Sequence, residues 1–264
     1  MTEKGKIRGT REWAVAEINC SRGCPHGCLY CYARYDQVVR KGLVTVSEWS
    51  LCRDLKEEVE KVHPLYDGQV MFPASHDIIP ENIESCVNVL KNLLDAGNKV
   101  LVVSKPHLNC IQRLCQELYD DRERILFRFT ITARNPEVLA FWEPRAPEYQ
   151  ERLMSLMSCY ERGFATSVSI EPMLHREDVC AMVQELLPFV SQSIWIGKMN
   201  KIDIRVEHDS ELINNEINRI RRGQSDEQIR LLYQELKKIE KIHWKESIKE
   251  VLGLALPNQA GLDI

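Results

Sequence analysis

The 264-residue sequence predicts an α/β fold, a partial (β/α)6 barrel with C-terminal helices. Three observations lead there. Short β-like runs alternate with amphipathic helical stretches six times between residues 12 and 200. Successive runs are separated by helical lengths, which demands crossover connections and so a parallel sheet. Six units are too few to close an eight-stranded barrel, so an open partial barrel is expected, with a doubly wound open sheet as the alternative. In either architecture functional groups gather at the carboxyl ends of the strands.

The elements follow in chain order. Residues 12–20, EWAVAEINC, alternate apolar and polar as a strand does, with Cys20 as the closing strand residue. Thr45 and Glu48 form a T-x-x-E capping box for a helix running towards His63. GQVMF (68–72) is a buried strand. Pro80 opens a helix that places Ile83, Val87, Leu90 and Leu94 on one face. KVLVVS (99–104) is the third strand, and Leu108, Ile111, Leu114 and Leu118 mark the helix after it. RILFRFTIT (124–132) is the fourth, with Arg128 and Thr130 in an otherwise apolar run; that arginine needs a partner. A connection containing FWEPRAPEY leads to a helix ending at Gly163. ATSVSI (165–170) and SIWIG (193–197) supply strands five and six. Residues 206–252 are charged, strongly helical and without an evident strand. The expected division is therefore a barrel domain over 1–205 and a helical extension over 206–264.

The sequence has no apolar run near the roughly 20 residues a membrane span requires, and its first residues lack a secretory h-region. A cytoplasmic protein without membrane partners is expected. The net charge of −4 argues against a strong nonspecific grip on nucleic acid, though it leaves a local basic face open. The densest basic run, NRIRRG (218–223), suits a helix C-terminus.

In a reducing compartment, ten cysteines are packing groups, metal ligands or catalytic thiols before they are disulfides. Six of them, Cys52, Cys86, Cys110, Cys115, Cys159 and Cys180, are scattered singly through apolar segments and belong to the core. Four lie together in CSRGCPHGCLYCYAR, spaced Cys20-x3-Cys24-x3-Cys28-x2-Cys31. Zinc sites usually pair two C-x2-C knuckles, and ferredoxin spacings differ from this one. Without Cys20 the loop offers three thiolates, enough for three irons of a [4Fe–4S] cluster whose fourth iron stays open.

C-x3-C-x2-C with Tyr30 before the last cysteine resembles the signature of the radical S-adenosylmethionine (SAM) enzymes, whose partial barrel also starts with a strand and this loop. The resemblance implies that Cys24, Cys28 and Cys31 hold a [4Fe–4S] cluster, that Cys20 is dispensable, and that SAM is the second cofactor. It implies a 5′-deoxyadenosyl radical as the reactive species and a reductant such as flavodoxin or ferredoxin as a partner. Tyr30 would pack near the adenine. Ser75, His76 and Asp77 follow the second strand, where the family holds the methionine ammonium; a turn and helix cap before Pro80 is the alternative. Ser104 and Lys105 would meet the methionine carboxylate. Ser167 and Ser169, with Thr166 and Glu171 beside them, would contact ribose or substrate, and Trp195, Lys198 and Asn200 end the sixth strand. Within the superfamily, RGCPHGCLYCYAR resembles the spore photoproduct lyase-like branch. Those lyases carry a Cys-Thr-Ser-Asp run where this chain has Ala74-Ser75-His76-Asp77, so the aspartate is kept and the thiol is not. The substrate stays open, with a nucleobase or a peptide in view. DNA lesion repair with another hydrogen donor, and a non-catalytic iron–sulfur or zinc protein, are the alternatives.

Overall fold

A computed structural model describes residues 7–262. Nine strands occur in chain order among them: β1 (Ala16–Glu17), β2 (Ser21–Arg22), β3 (Arg53–Asp54), β4 (Val70–Phe72), β5 (Val100–Ser104), β6 (Ile125–Thr130), β7 (Ala165–Ile170), β8 (Ile194–Ile196) and β9 (Ile242–Trp244). Seven of them form one sheet in the order β1-β4-β5-β6-β7-β8-β9, parallel at every pairing; β2 and β3 make a separate antiparallel pair. Helices cross over between the sheet strands, as parallel pairing requires.

Side-chain alternation divides the sheet into two faces. Outward residues such as Val70, Phe72, Val100, Val102, Phe127, Phe129, Val168, Ile194 and Ile196 join the large core beneath the helices. Inward residues Met71, Leu101, Val103 and Trp195 form a smaller cluster with Trp13 and Ala14. The sheet curls until its two edges approach each other. Lys245, just past β9, reaches residues just before β1: its Nζ donates to the Gly9 carbonyl at 2.9 Å and pairs with Glu12 at 2.8 Å. The result is the expected partial barrel, its gap spanned by side chains.

Three expectations are corrected. The sheet gains a seventh strand, β9, from the segment expected to be wholly helical; its three residues are too short to show a period between the charged helices Asp226–Leu236 and Glu246–Leu252. The first strand is only Ala16–Glu17, because Gly9–Glu12 form a 3-10 turn that sends Glu12 inward to Lys245. Cys20 therefore lies beyond the strand. The helix after Thr45 stops at Trp49, although its capping box forms on both sides. Pairing of β3 with β2 interrupts it: Asp54 accepts from Ser21 Oγ at 2.9 Å and from Ser85 Oγ at 2.5 Å, and Leu55 N donates to the Cys20 carbonyl. The basic run ends the helix Glu211–Gly223, as expected. Among the described residues no helix is long and apolar enough to cross a membrane.

Candidate functional site

The strand carboxyl ends surround a cavity of about 680 Å³. One wall is the cysteine loop. Two glycines permit its path. Gly23 has φ +97, and a Cβ there would lie 2.5 Å from the Leu51 carbonyl oxygen and 2.6 Å from that of Trp49; Gly27 has φ +69 with the Arg145 guanidinium pressed against it. Cys24 N donates to the Trp49 carbonyl, and Cys31 caps the short helix Tyr32–Arg34 by accepting from Arg34 N at its sulfur. Cys24, Cys28 and Cys31 all line the cavity; Cys20 does not. Cys20 turns away to Cys86, sulfur to sulfur at 3.6 Å, and to His76. The Cys86 thiol and then His76 lower its pKa to about 5 against the effect of burial. Burial raises the pKa of the other two buried loop thiols, Cys28 to about 12 and Cys24 well above its ordinary value with help from Asp77.

A buried ion pair holds the loop from behind. Glu143 accepts from the Arg152 guanidinium and the Tyr30 hydroxyl, and from Thr132 Oγ1 at 2.9 Å. Arg152 also donates to the carbonyls of Pro147 at 2.7 Å and Thr130 at 3.2 Å. Burial works against ionising Glu143, but Arg152 and Lys105 outweigh it and hold the carboxyl below its usual range. The Tyr30 ring, between the loop and this pair, lines the cavity with Lys105 Nζ 5.8 Å from its centroid.

Asp77 sits at the centre of the facing wall. Its Oδ1 accepts from Lys105 N at 2.7 Å and Ser104 Oγ at 3.1 Å, and its Oδ2 pairs with His26 Nδ1 at 2.9 Å and Lys105 Nζ at 3.8 Å. Burial opposes its charge, yet Lys105 and His26 keep the carboxyl well below the carboxylate range. Lys105 is correspondingly held protonated: burial works against it, and Cys28, Tyr30, Asp77 and Glu143 overcome that. Cys24 Sγ is 3.8 Å from Asp77 Oδ2, and the ligand atoms of Cys24, His26 and Asp77 lie within 4.8 Å of one another. His26 does not present a free ring nitrogen to the cavity, since its Nε2 meets His107 Nε2 at 3.0 Å.

The other candidates separate cleanly. Ser75 and Ser169 line the cavity; Ser104 lies behind Asp77 and also accepts from Ile78 N. His76 lines the wall but has both ring nitrogens engaged. Nε2 accepts from Cys20 N at 3.2 Å and Ser21 N at 3.3 Å, which leaves Nδ1 to donate to the Asp77 carbonyl at 3.0 Å. The expectation that His76 accepts from a cofactor ammonium is therefore corrected: it pins the loop entrance. Asp77 caps no helix, because the 3-10 turn Pro80–Asn82 is capped at Ile79. Ser167 is corrected as well. It lies two residues below Ser169 on the inner face, about 6.6 Å deeper at the usual strand rise, and bonds the Ser193 carbonyl at 2.7 Å and Arg128 Nε at 2.9 Å. That serine and Ser193 are hydrogen-bond partners of Arg128, whose guanidinium lies 4.6 Å from the Trp13 ring centroid and 5.4 Å from that of Trp195.

Sequence reasoning missed the opposite wall. Lys198 and Asn200, noted at the end of the sixth strand, line it, and so do Arg8, Thr10, Arg205, Lys245, Glu246 and Ser247. Lys245 is buried among Glu12, Glu246 at 3.4 Å and Glu171 at 3.9 Å. Burial, reinforced by the Glu246 contact, raises the Glu12 pKa to about 8, and burial also raises that of Glu171. Across the mouth, the Tyr32 hydroxyl donates to the carbonyl of Ala74.

No family model matches the chain. An uncharacterized protein of Acidianus two-tailed virus is 25% identical over 193 residues, covering 69% of this chain and 62% of the viral protein. A spore photoproduct lyase variant with bound AdoMet and dinucleoside spore photoproduct superposes with a TM-score of 0.54 at 14% identity, over 86% of this chain and 75% of that one. SuiB of Streptococcus suis bound to S-adenosylmethionine gives a TM-score of 0.52 at 10% identity, over 89% of this chain and 47% of that one. At these identities the likeness shows the fold alone: the chain shares the partial-barrel fold of these two SAM-binding proteins.

Proposed function

We propose that this protein is a radical SAM enzyme that binds a [4Fe–4S] cluster and SAM at the cysteine-loop end of the cavity and its substrate at the other. One observation carries the reading: three thiols of a single loop converge with Tyr30, Asp77 and Lys105 at the carboxyl ends of the strands. The donor set fits a cluster. Three thiols share one wall, and burial raises the pKa of Cys24 and Cys28, so their thiolates call for a bound cation. Cys20 is directed elsewhere, which leaves three ligands.

When bound and reduced, the cluster supplies the electron that cleaves SAM to methionine and a 5′-deoxyadenosyl radical. The chain's own residues do the rest. Asp77, ionised and fixed by Lys105, Ser104 and His26, offers negative charge to the methionine ammonium. Lys105, held protonated, offers positive charge to the methionine carboxylate. Tyr30 gives the adenine an apolar wall, and Thr130 and Ser169, paired across β6 and β7, give the ribose or substrate hydrogen-bonding groups. The deep Arg128 layer and the inner apolar cluster close the floor against water.

The solved relatives hold a dinucleoside lesion in one case and, in SuiB, a precursor peptide in another. A nucleobase or a peptide is accordingly the substrate class proposed for this chain, with an electron donor of the flavodoxin or ferredoxin type. Spore photoproduct repair itself does not carry over, since Ala74 stands where those lyases bear their thiol. The test is anaerobic reconstitution followed by strong reduction with SAM. Methionine and 5′-deoxyadenosine should form slowly without substrate, and Cys28→Ala should abolish both. Full iron loading with no 5′-deoxyadenosine would sink the reading.

A further inference from the structure

We propose that Arg205, with Lys201 one turn before it, anchors an anionic group of the substrate, a phosphate or a carboxylate. The inference deepens the reading above and rests on it. Arg205 lines the cavity, half-buried, beside Tyr32 with its guanidinium 5.9 Å from that ring's centroid. Among the described residues its guanidinium donates no hydrogen bond and has no carboxylate within 4.0 Å. Every other arginine that is not exposed meets an acceptor, from Arg34 on the Leu29 carbonyl to Arg219 on Glu216. Five donors drawn partly out of water and left unmatched call for an acceptor that enters from outside.

The charges around the cavity point the same way. Lys105, 3.8 Å from Asp77, is assigned above to the SAM carboxylate, while Lys245 is paired with Glu12 and Glu246, and Arg8 with Glu250. Lys198 is 3.9 Å from the mostly exposed Asp226. Lys201 and Arg205 have no ion-pair partner among the described residues. They are four residues apart, Arg205 N donates to the Lys201 carbonyl at 3.1 Å, and both residues line the cavity. Lys201 has φ 56 and ψ 39, a left-handed backbone that a lysine seldom adopts. SAM does not fill this role. Its ammonium and carboxylate are matched by Asp77 and Lys105, and its sulfonium is itself a cation. The spare acceptor belongs to the substrate, for which a guanidinium is a bidentate match.

The test titrates inorganic phosphate, and separately acetate, into the reconstituted SAM-bound protein by calorimetry. Wild type should bind at least one of them saturably; which one names the group. Arg205→Gln should weaken that binding roughly ten- to a hundredfold, the weight of a charge-assisted hydrogen bond, and Arg205→Lys should lose less. SAM affinity of Arg205→Gln should shift less than twofold, and Arg222→Gln, on the exposed surface, should change neither. If Arg205→Gln does not fold, Arg205→Lys and Lys201→Gln carry the comparison. The proposal fails if wild type binds neither anion, if Arg205→Gln binds them as well as wild type, or if the loss falls on SAM. Anion binding that depends on Arg205 in a protein that never cleaves SAM would instead sink the enzymatic reading alone.

Discussion

Removing Glu143 should be among the most destabilising single changes near the site, and for a reason that a double substitution can isolate. Glu143 and Arg152 are both fully buried, and the carboxylate also receives the Tyr30 and Thr132 hydroxyls. Glu143→Leu leaves the guanidinium charged and uncompensated; breaking a buried pair in this way costs about 3–5 kcal/mol. At roughly 2–4 °C per kcal/mol for a chain of this size, the melting temperature should fall by about 6–20 °C. Glu143→Leu combined with Arg152→Met removes the orphaned charge and should recover most of that loss. Its residual deficit comes from the Pro147 and Thr130 carbonyls, which lose their donor. Circular-dichroism melts of the four proteins at pH 7 form the cycle, and iron content after reconstitution reports on Tyr30 and the loop. The folded pKa of Glu143 lies below its ordinary 4.5, so the pair's stabilisation is present above that pH and is lost as pH falls through the folded value. The gap between wild type and Glu143→Leu should therefore narrow only in acid. Equal melting temperatures for the single and double variants, or a gap independent of pH down to acid unfolding, would refute the reasoning.

Other expectations are narrower. Cys20→Ala should keep iron and sulfide at wild-type levels while Cys24→Ala loses them, as measured by iron and acid-labile sulfide assays. His76→Ala orphans two buried backbone N–H groups and should cost about 1–3 kcal/mol in denaturant melts, whereas Asp77→Asn should act mainly on SAM, weakening its calorimetric Kd roughly ten- to a hundredfold. Glu12 titrates near 8 when folded against 4.5 unfolded, so the folded state holds the extra proton and stability should decline from about pH 4.5 to about pH 8. Glu12→Gln should flatten that slope in melts across the range. Gly23→Ala, whose Cβ would strike two carbonyl oxygens, should impair cluster incorporation, read by visible absorbance.

The architecture was legible because helical and strand periods alternate clearly from residue 68 to residue 196, and because a buried parallel strand such as VLVVS has few other readings. The cysteine loop was legible through the resemblance of C-x3-C-x2-C, with Tyr30 before the last cysteine, to a known signature. The opposite wall was not. Its residues come from turns at 8–13, 198–205 and 245–250, where no period marks a position and no motif marks a role. Ser167 and Ser169 show a subtler limit: identical residue types on the same face of the same strand, separated only by depth, end up in different environments. His76 shows another, since a histidine's role depends on which backbone groups reach its nitrogens, and those come from residues 20 and 21, more than fifty positions away.

The Lys245 contact with Gly9 and Glu12 has a consequence for the timing of synthesis. It joins positions 236 residues apart, and β9 with the following turn completes one wall. A ribosome making this chain will have released the cysteine loop, and every strand up to β8, long before that wall can form. During that interval the cavity lacks the wall that Lys245, Glu246 and Ser247 line, and closing so long a loop is a slow step. On the proposed function, a cluster delivered to the finished protein would enter a cavity walled on all sides, whereas one delivered to the nascent chain would meet an open trough. A chain stalled before residue 242 should thus exchange iron and sulfide far more readily than the completed one.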